Sequence, residues 1–367
     1  MRAGIPGPHS FRPQPPALST AESAPRLIAR RGRTPSEVAR WIFGALLLLI
    51  LATWLIDSFV SSPSRFTEVT LIGFTNGSIY ALVALGYTLV YGIIELINFA
   101  HGDVFMIGTL VSFGLWGTIG LTLTTGALGI VFGLLVCLVI AMIVCGVLNV
   151  MIERVAYRPL RGAPKLAPLI TAVGMSFILQ NVGILWIGAS QRGVPDLIHA
   201  QQELFSPLGL SISRGDVLAV VATIPLVMLL TSFVGRTRLG KAMRATAQDP
   251  DAARLMGINV DTTIALTFLL GGMLAGAAGL IFLVYQTTVW YFSGFVAGLI
   301  AFTAAVMGGI GNLQGAVLGG FIIGIIQQLA ENRIGAEWTE AVVFAYLIMI
   351  KVFRPQGLLG EQTREAG

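Results

Sequence analysis

Few residues in this chain could do chemistry, and their spacing narrows what that chemistry would be. Its three histidines, His9, His101 and His199, are far apart, and a single histidine without other ligands makes no metal site. No Gly-x-Ser-x-Gly elbow is present to raise a nucleophile. Gly235 to Gly240-Lys241 imitates a phosphate-binding loop, but Ala242 replaces the Mg²⁺-binding hydroxyl and an apolar helix, not a strand, precedes it. These absences argue against an intramembrane hydrolase and against nucleotide binding by this chain.

Two clusters remain. The first runs Asp249-Pro-Asp-Ala-Ala-Arg-Leu-Met-Gly257. Asp249 is a good N-cap, Pro250 fits the first helical position, Asp251 complements the positive helix end, and Gly257 suits a left-handed stop. The spacing predicts a helix of about seven residues, ~10 Å long. It pairs Ala252 with Leu255 and Ala253 with Met256 on a small apolar face. So short a helix is unstable alone and must dock, either on its own bundle and the membrane surface or in a groove on a cytosolic partner. The second cluster, Tyr91 to Asp103, gathers Asn98, His101 and Asp103 at a span boundary. They could cap helices or contact a solute. The bland alternative is that Asp103 caps the third span and His101 bonds a carbonyl.

The elements positioning these clusters must be membrane helices. Of 367 residues 55% are apolar and only 11% charged, and mean hydropathy is +0.82. Runs such as 131–143 have no alternation, which excludes a β-barrel. A soluble enzyme or nucleic-acid module is excluded by the same composition. Ten apolar segments are expected, near 41–60, 67–94, 104–121, 126–150, 167–188, 217–235, 261–286, 294–310, 314–330 and 339–353. Spans 2–5 and 7–10 start on opposite sides, as an inverted repeat requires. The fold class is thus all-α and polytopic. Residues 41–354 would form the membrane domain, with the inner loop 236–260 and the longest outer loop at 189–216. Residues 1–40, holding seven arginines, would be a disordered basic tail, and 355–367 a short C-terminal one.

With both termini in the cytoplasm, 19 of the 23 basic residues fall inside and Arg65, Arg192, Arg214 and Arg333 outside, the arrangement the positive-inside rule favours. Cys137 and Cys145, roughly 12 Å apart on one helix, cannot bridge. Gln180, Asn181, Gln286, Thr303, Asn312, Gln327 and Gln328 read as interhelical hydrogen bonders, some of which could line a path. Gly73/Gly77, Gly272/Gly276, Gly315/Gly319 and Gly320/Gly324 read as packing seams. Most span centres lack ionisable residues, which counts against an ion-coupled secondary transporter or channel.

The stretch from Asn76 to Asp103, ending Glu95-Leu-Ile-Asn-Phe-Ala-His-Gly-Asp103, closely resembles the branched-chain amino acid ABC permease family. Ile152 to Arg161, Ile170 to Ser176, Leu239 to Ile258 and Ala301 to Asn312 add to the resemblance, which covers roughly 66–360. It looks most like the first of the two paired permeases. The resemblance implies a multi-pass subunit of a bacterial inner-membrane importer of Leu, Ile and Val. It implies no catalytic residue and no cofactor on this chain, ATP being bound by two partner ATPases. They would grip the loop through Asp249, Pro250, Asp251, Ala252, Ala253, Leu255, Met256 and Gly257. A second permease subunit and an external solute-binding protein complete the implied partners, with lipid around them and no nucleic acid. Asn76, Tyr80, Tyr87, Asn98, His101, Asp103 and Asn312 become candidates for the path or its gates. Similar permeases import urea, short amides or aromatic acids, so substrate stays open within the family. Glu95 stands where the family usually has Gly, and would either bear on gating or face water.

Overall fold

A computed structural model describes residues 49, 52–164, 166–200, 202–205 and 211–360. The expected basic tail 1–40, half of the first expected span and residues 361–367 lie outside the described residues. A helical stretch over 52–61 leads to eleven further helices. They are α1 (Pro63–Ile94), α2 (Ala100–Ile119), α3 (Ala127–Ile152), α4 (Leu166–Ile187), α5 (Arg214–Arg236), α6 (Arg238–Gln248), α7 (Pro250–Leu255), α8 (Val260–Gln286), α9 (Ser293–Gly308), α10 (Leu313–Ile334) and α11 (Thr339–Phe353). Among the described residues, seven helices are long and apolar enough to cross a membrane: α1, α2, α3, α4, α5, α8 and α10. Helices α9 and α11, at 16 and 15 residues, are apolar but shorter than a bilayer core requires.

Burial sorts these helices into a centre and a rim. The apolar windows of α1 and α8 are 83% and 78% buried, against 28% for α3 and 22% for α5. From Gly77 to Val90, α1 is buried on every side, as expected of a helix with no polar face. Helices α3, α4 and α5 instead leave large aliphatic side chains exposed, including Leu135, Val139, Ile178 and Leu229. In a membrane chain that is the surface for lipid or another subunit.

The helices pair in a regular way. Helix α1 packs on α10, and α3 on α8. Helix α2 meets α3, α4 and α8, while α9 meets α10, α11 and α1. Exchanging α1–α4 with α8–α11 turns these contacts into one another, which is the pattern an inverted repeat produces. Small residues make the two main seams. A Cβ on Gly320 would lie 2.6 Å from the Ala81 Cα, and one on Gly77 2.8 Å from the Phe321 Cα. On the other seam Gly272 and Gly276 lie against the backbone at Cys145 and Ala141.

Two small antiparallel ribbons tie down the 189–213 loop. Arg192–Gly193 (β1) pairs with Thr288–Val289 (β4), and Glu203–Phe205 (β2) with Ile212–Ser213 (β3). The loop then enters α5 through a capping box in which Ser213 and Asp216 each accept from the other's backbone. At the other terminus, 355–360 is not a free tail. The Leu358 and Leu359 amides donate to the Met307 and Gly308 carbonyls, clamping the chain over the α9–α10 turn.

Candidate functional site

Helix α7 is built as its residues dictate. Asp249 Oδ1 accepts from the amides of Asp251 and Ala252, both at 2.9 Å. Gly257 has φ +83, and the amides of Gly257 and Ile258 close onto the carbonyls of Arg254 and Ala253. Those two bonds make a Schellman stop. Asp251 and Arg254 pair at 2.7 Å on an exposed face, which adds little. Ala253 is buried. It anchors the helix and does not share the exposed face with Met256 as the i,i+3 pairing predicts. One turn of helix rotates it inward while the stop carries Met256 out. The outward face is Ala252, Leu255 and Met256, the last two 89% and 83% exposed. Two large apolar side chains are thus held outward on a capped helix as an exposed apolar patch.

Helix α6 carries α7. Thr237 caps it by accepting from the Gly240 amide, and the Arg244 guanidinium donates to the Val234 carbonyl, folding α6 back on the end of α5. Met243 and Thr246 face inward, and α6 meets both α1 and α8. The segment 235–241 is therefore a helix–corner–helix, with no open loop for a phosphate.

Asn76 and Tyr80 line a cavity of about 500 Å³ between α1, α5, α8 and α10. Its walls carry Glu68, Asp216, Tyr285, Gln286, Gln327, Gln328 and Glu331, and the Asn76 amide donates to Gln328 Oε1 at 3.0 Å. Asp216 is buried and accepts from Thr75 Oγ1 at 2.8 Å. Sequence reasoning placed Asp216 in a loop, because it precedes the apolar run. Its role was legible only as the third residue after Ser213, the capping-box spacing.

Two turns further along α1 the structure is closed. Tyr87 and Asn98, with Tyr91 and Phe302, border a void of only about 10 Å³, no more than one water. Asn98 is buried and held by side chains. It donates to Asn149 Oδ1 at 3.4 Å and accepts from the Tyr157 hydroxyl at 3.1 Å, while Asn149 donates to the Phe268 carbonyl at 2.7 Å. Tyr157, on a π turn at Glu153–Tyr157, was not singled out in the sequence. His101 is fully buried, edge-on to Tyr87 with centroids 4.8 Å apart. The ring lies against the Val83 carbonyl, the kind of contact expected, although neither nitrogen reaches full hydrogen-bond geometry. Asp103 does not cap the third span. Helix α2 starts at Ala100 with Phe99 as its N-cap, and Asp103 accepts from Ser176 Oγ on α4. Asn312 lines neither place. It caps α10 by accepting from the Gly315 amide and donates to the Leu359 carbonyl.

Glu95, the departure from the family pattern, ends α1 in the left-handed region at φ 51. Its exposed side chain is a consequence of that turn. A Gly is the residue that adopts this conformation without steric cost.

Residues 69–351 match the family model described as the branched-chain amino acid transport system permease component. The chain belongs to the branched-chain amino acid transport permease family. It is 42% identical over 305 residues to the high-affinity branched-chain amino acid transport system permease protein BraD of Pseudomonas aeruginosa, covering 82% of this chain and 98% of that one. LivH of Escherichia coli K12, with the same description, is 41% identical over 303 residues, covering 82% and 97%. The fructose import permease FrcC of Rhizobium meliloti is 29% identical over 199 residues, covering 51% and 54%. No solved structure matches. A permease of this family is a multi-pass membrane protein, as the seven long apolar helices require.

Proposed function

We propose that this chain is the membrane subunit of an ABC importer of Leu, Ile and Val in a bacterial inner membrane. Separate ATPases would drive it and an external solute-binding protein would feed it. A second permease subunit would complete the path, and each ATPase would take one permease's coupling loop. The carrying observation is the α7 face. Leu255 and Met256 stand out from a helix held by its caps and by buried Ala253, and an apolar patch so presented supports a docking role. The excess of basic residues on one side supports a cytoplasmic position for that face and for both termini. The polar cavity at Asn76 and Tyr80 would then face out, and the closed Tyr87–Asn98 region would face in. Alternation of these two regions is the rigid-body switch that ATP binding would drive.

The test is uptake of labelled leucine by the reconstituted complex, competed with isoleucine, valine, urea and benzoate. Competition by isoleucine and valine alone is expected. ATP-independent uptake rejects the ABC reading, and competition by urea or benzoate rejects the substrate assignment. A single cysteine at Leu255 should react with an impermeant maleimide only from the cytoplasmic side; reaction from outside rejects the orientation.

A further inference from the structure

A groove of about 510 Å³ lies between the end of α3 and the start of α8, outside the regions described above. One wall is Val147, Val150 and Met151 on α3 and Arg154 on the π turn that continues it, spaced i, i+3, i+4 and i+7. The α8 wall runs from Asp261 through Ala265 to Leu269. Each wall passes from charge to hydrocarbon over roughly 10 Å, at ~1.5 Å per residue. The groove therefore straddles the edge of the bilayer core, with its charged end at the headgroups and its apolar end among the chains.

The charges at that end do not cancel. Asp261 pairs with Arg158 at 3.0 Å and with Arg161, and buried Glu153 pairs with Arg161. Arg154 makes no ion pair or hydrogen bond among the described residues. It is exposed beside Met151, itself 56% exposed. The lining itself carries two arginines and two acids, but Arg161 from behind it pairs with both acids, so Arg154 is left without a counter-ion. Away from the groove, the outer face of α3 carries Phe132, Leu135, Val139 and Ile143, all exposed and all apolar. That is the composition of a surface against lipid chains. An occupant that complements these walls carries negative charge for Arg154 at headgroup level and a hydrocarbon tail below it.

We propose that this groove seats one anionic phospholipid, its phosphate on Arg154 and an acyl chain between Val147 and Leu269. Arginine matches phosphate oxygens in two parallel bonds, and basic sites between membrane helices bind anionic headgroups. A zwitterionic lipid fills the same apolar slot but leaves the excess charge less well matched.

The test places the photo-crosslinker p-benzoylphenylalanine at Met151. The assembled complex is put in nanodiscs of equal phosphatidylglycerol and phosphatidylcholine, and adducts are read by mass spectrometry. The expected adducts are phospholipid, with phosphatidylglycerol adducts about fivefold more abundant than phosphatidylcholine adducts. Arg154→Gln should bring the ratio to about one, and Arg154→Lys should keep most of the preference. Equal capture of the two lipids without any substitution, or a ratio unmoved by Arg154→Gln, overturns the proposal. So do adducts to a protein subunit, which would make the groove a subunit interface.

Discussion

Replacing Leu255 and Met256 together by serine tests whether the α7 face carries the load of an external motor. Both side chains are more than four-fifths exposed, so their removal takes no packing from this chain. Asp249, Ala253 and Gly257, which hold the helix, are untouched. Fully burying a Leu or Met side chain is worth ~2 kcal/mol, so the pair offers about 4 kcal/mol to a groove that accepts both. Ordering of the side chains and imperfect fit remove roughly half. The remaining ~2 kcal/mol corresponds to about thirtyfold weaker ATPase binding. The assay is titration of the purified ATPase subunits onto the permease in nanodiscs, beside thermal unfolding of the permease alone. The unfolding temperature should hold while affinity falls. Unchanged affinity with an unchanged fold would refute the assignment of this face, whatever the uptake rate.

Gly320→Ala brings a Cβ 2.6 Å from the Ala81 backbone, so the α1–α10 seam must open by most of an ångström. A net loss of ~1–2 kcal/mol is expected after the gain in helix propensity, whereas Gly117→Ala, with open space around it, should be neutral or stabilising; equal unfolding temperatures for the two variants would contradict this account. Glu95→Gly relieves a left-handed backbone and should stabilise by about 0.5–1 kcal/mol after the entropic cost of glycine, so a lowered unfolding temperature would show that the Glu95 side chain contributes more than its backbone loses. Tyr157→Phe removes the hydroxyl shared with Asn98 and the Ile97 carbonyl and should cost ~1–2 kcal/mol in denaturation of the purified subunit; no change would mean that the network around Asn98 is not cooperative.

The helices were legible because apolar runs report directly on the bilayer, and α7 because its caps act locally. Asp249 and Gly257 do their work within five residues of themselves. The roles of Asn98, His101 and Asp103 were not legible, because they depend on Asn149, Tyr157, Tyr87 and Ser176, which the chain brings together from other helices. Ala253 illustrates the same limit on a smaller scale. Its spacing to Met256 is helical, but only the packing beneath α7 decides which side faces in. Asn312 is polar near a span boundary, and only the packing shows that its side chain caps α10 and holds the C-terminal segment. The cavity at Asn76 draws on four helices and could not be assembled from any one of them.

The backbone seams set the kind of motion this bundle can make. Where α1 and α10 touch main chain to main chain, little side chain lies between them to yield, so a thrust arriving through α6 would be passed on with little cushioning. Such a joint slips lengthwise more readily than it gapes, and the stroke of an attached engine would be delivered as shear.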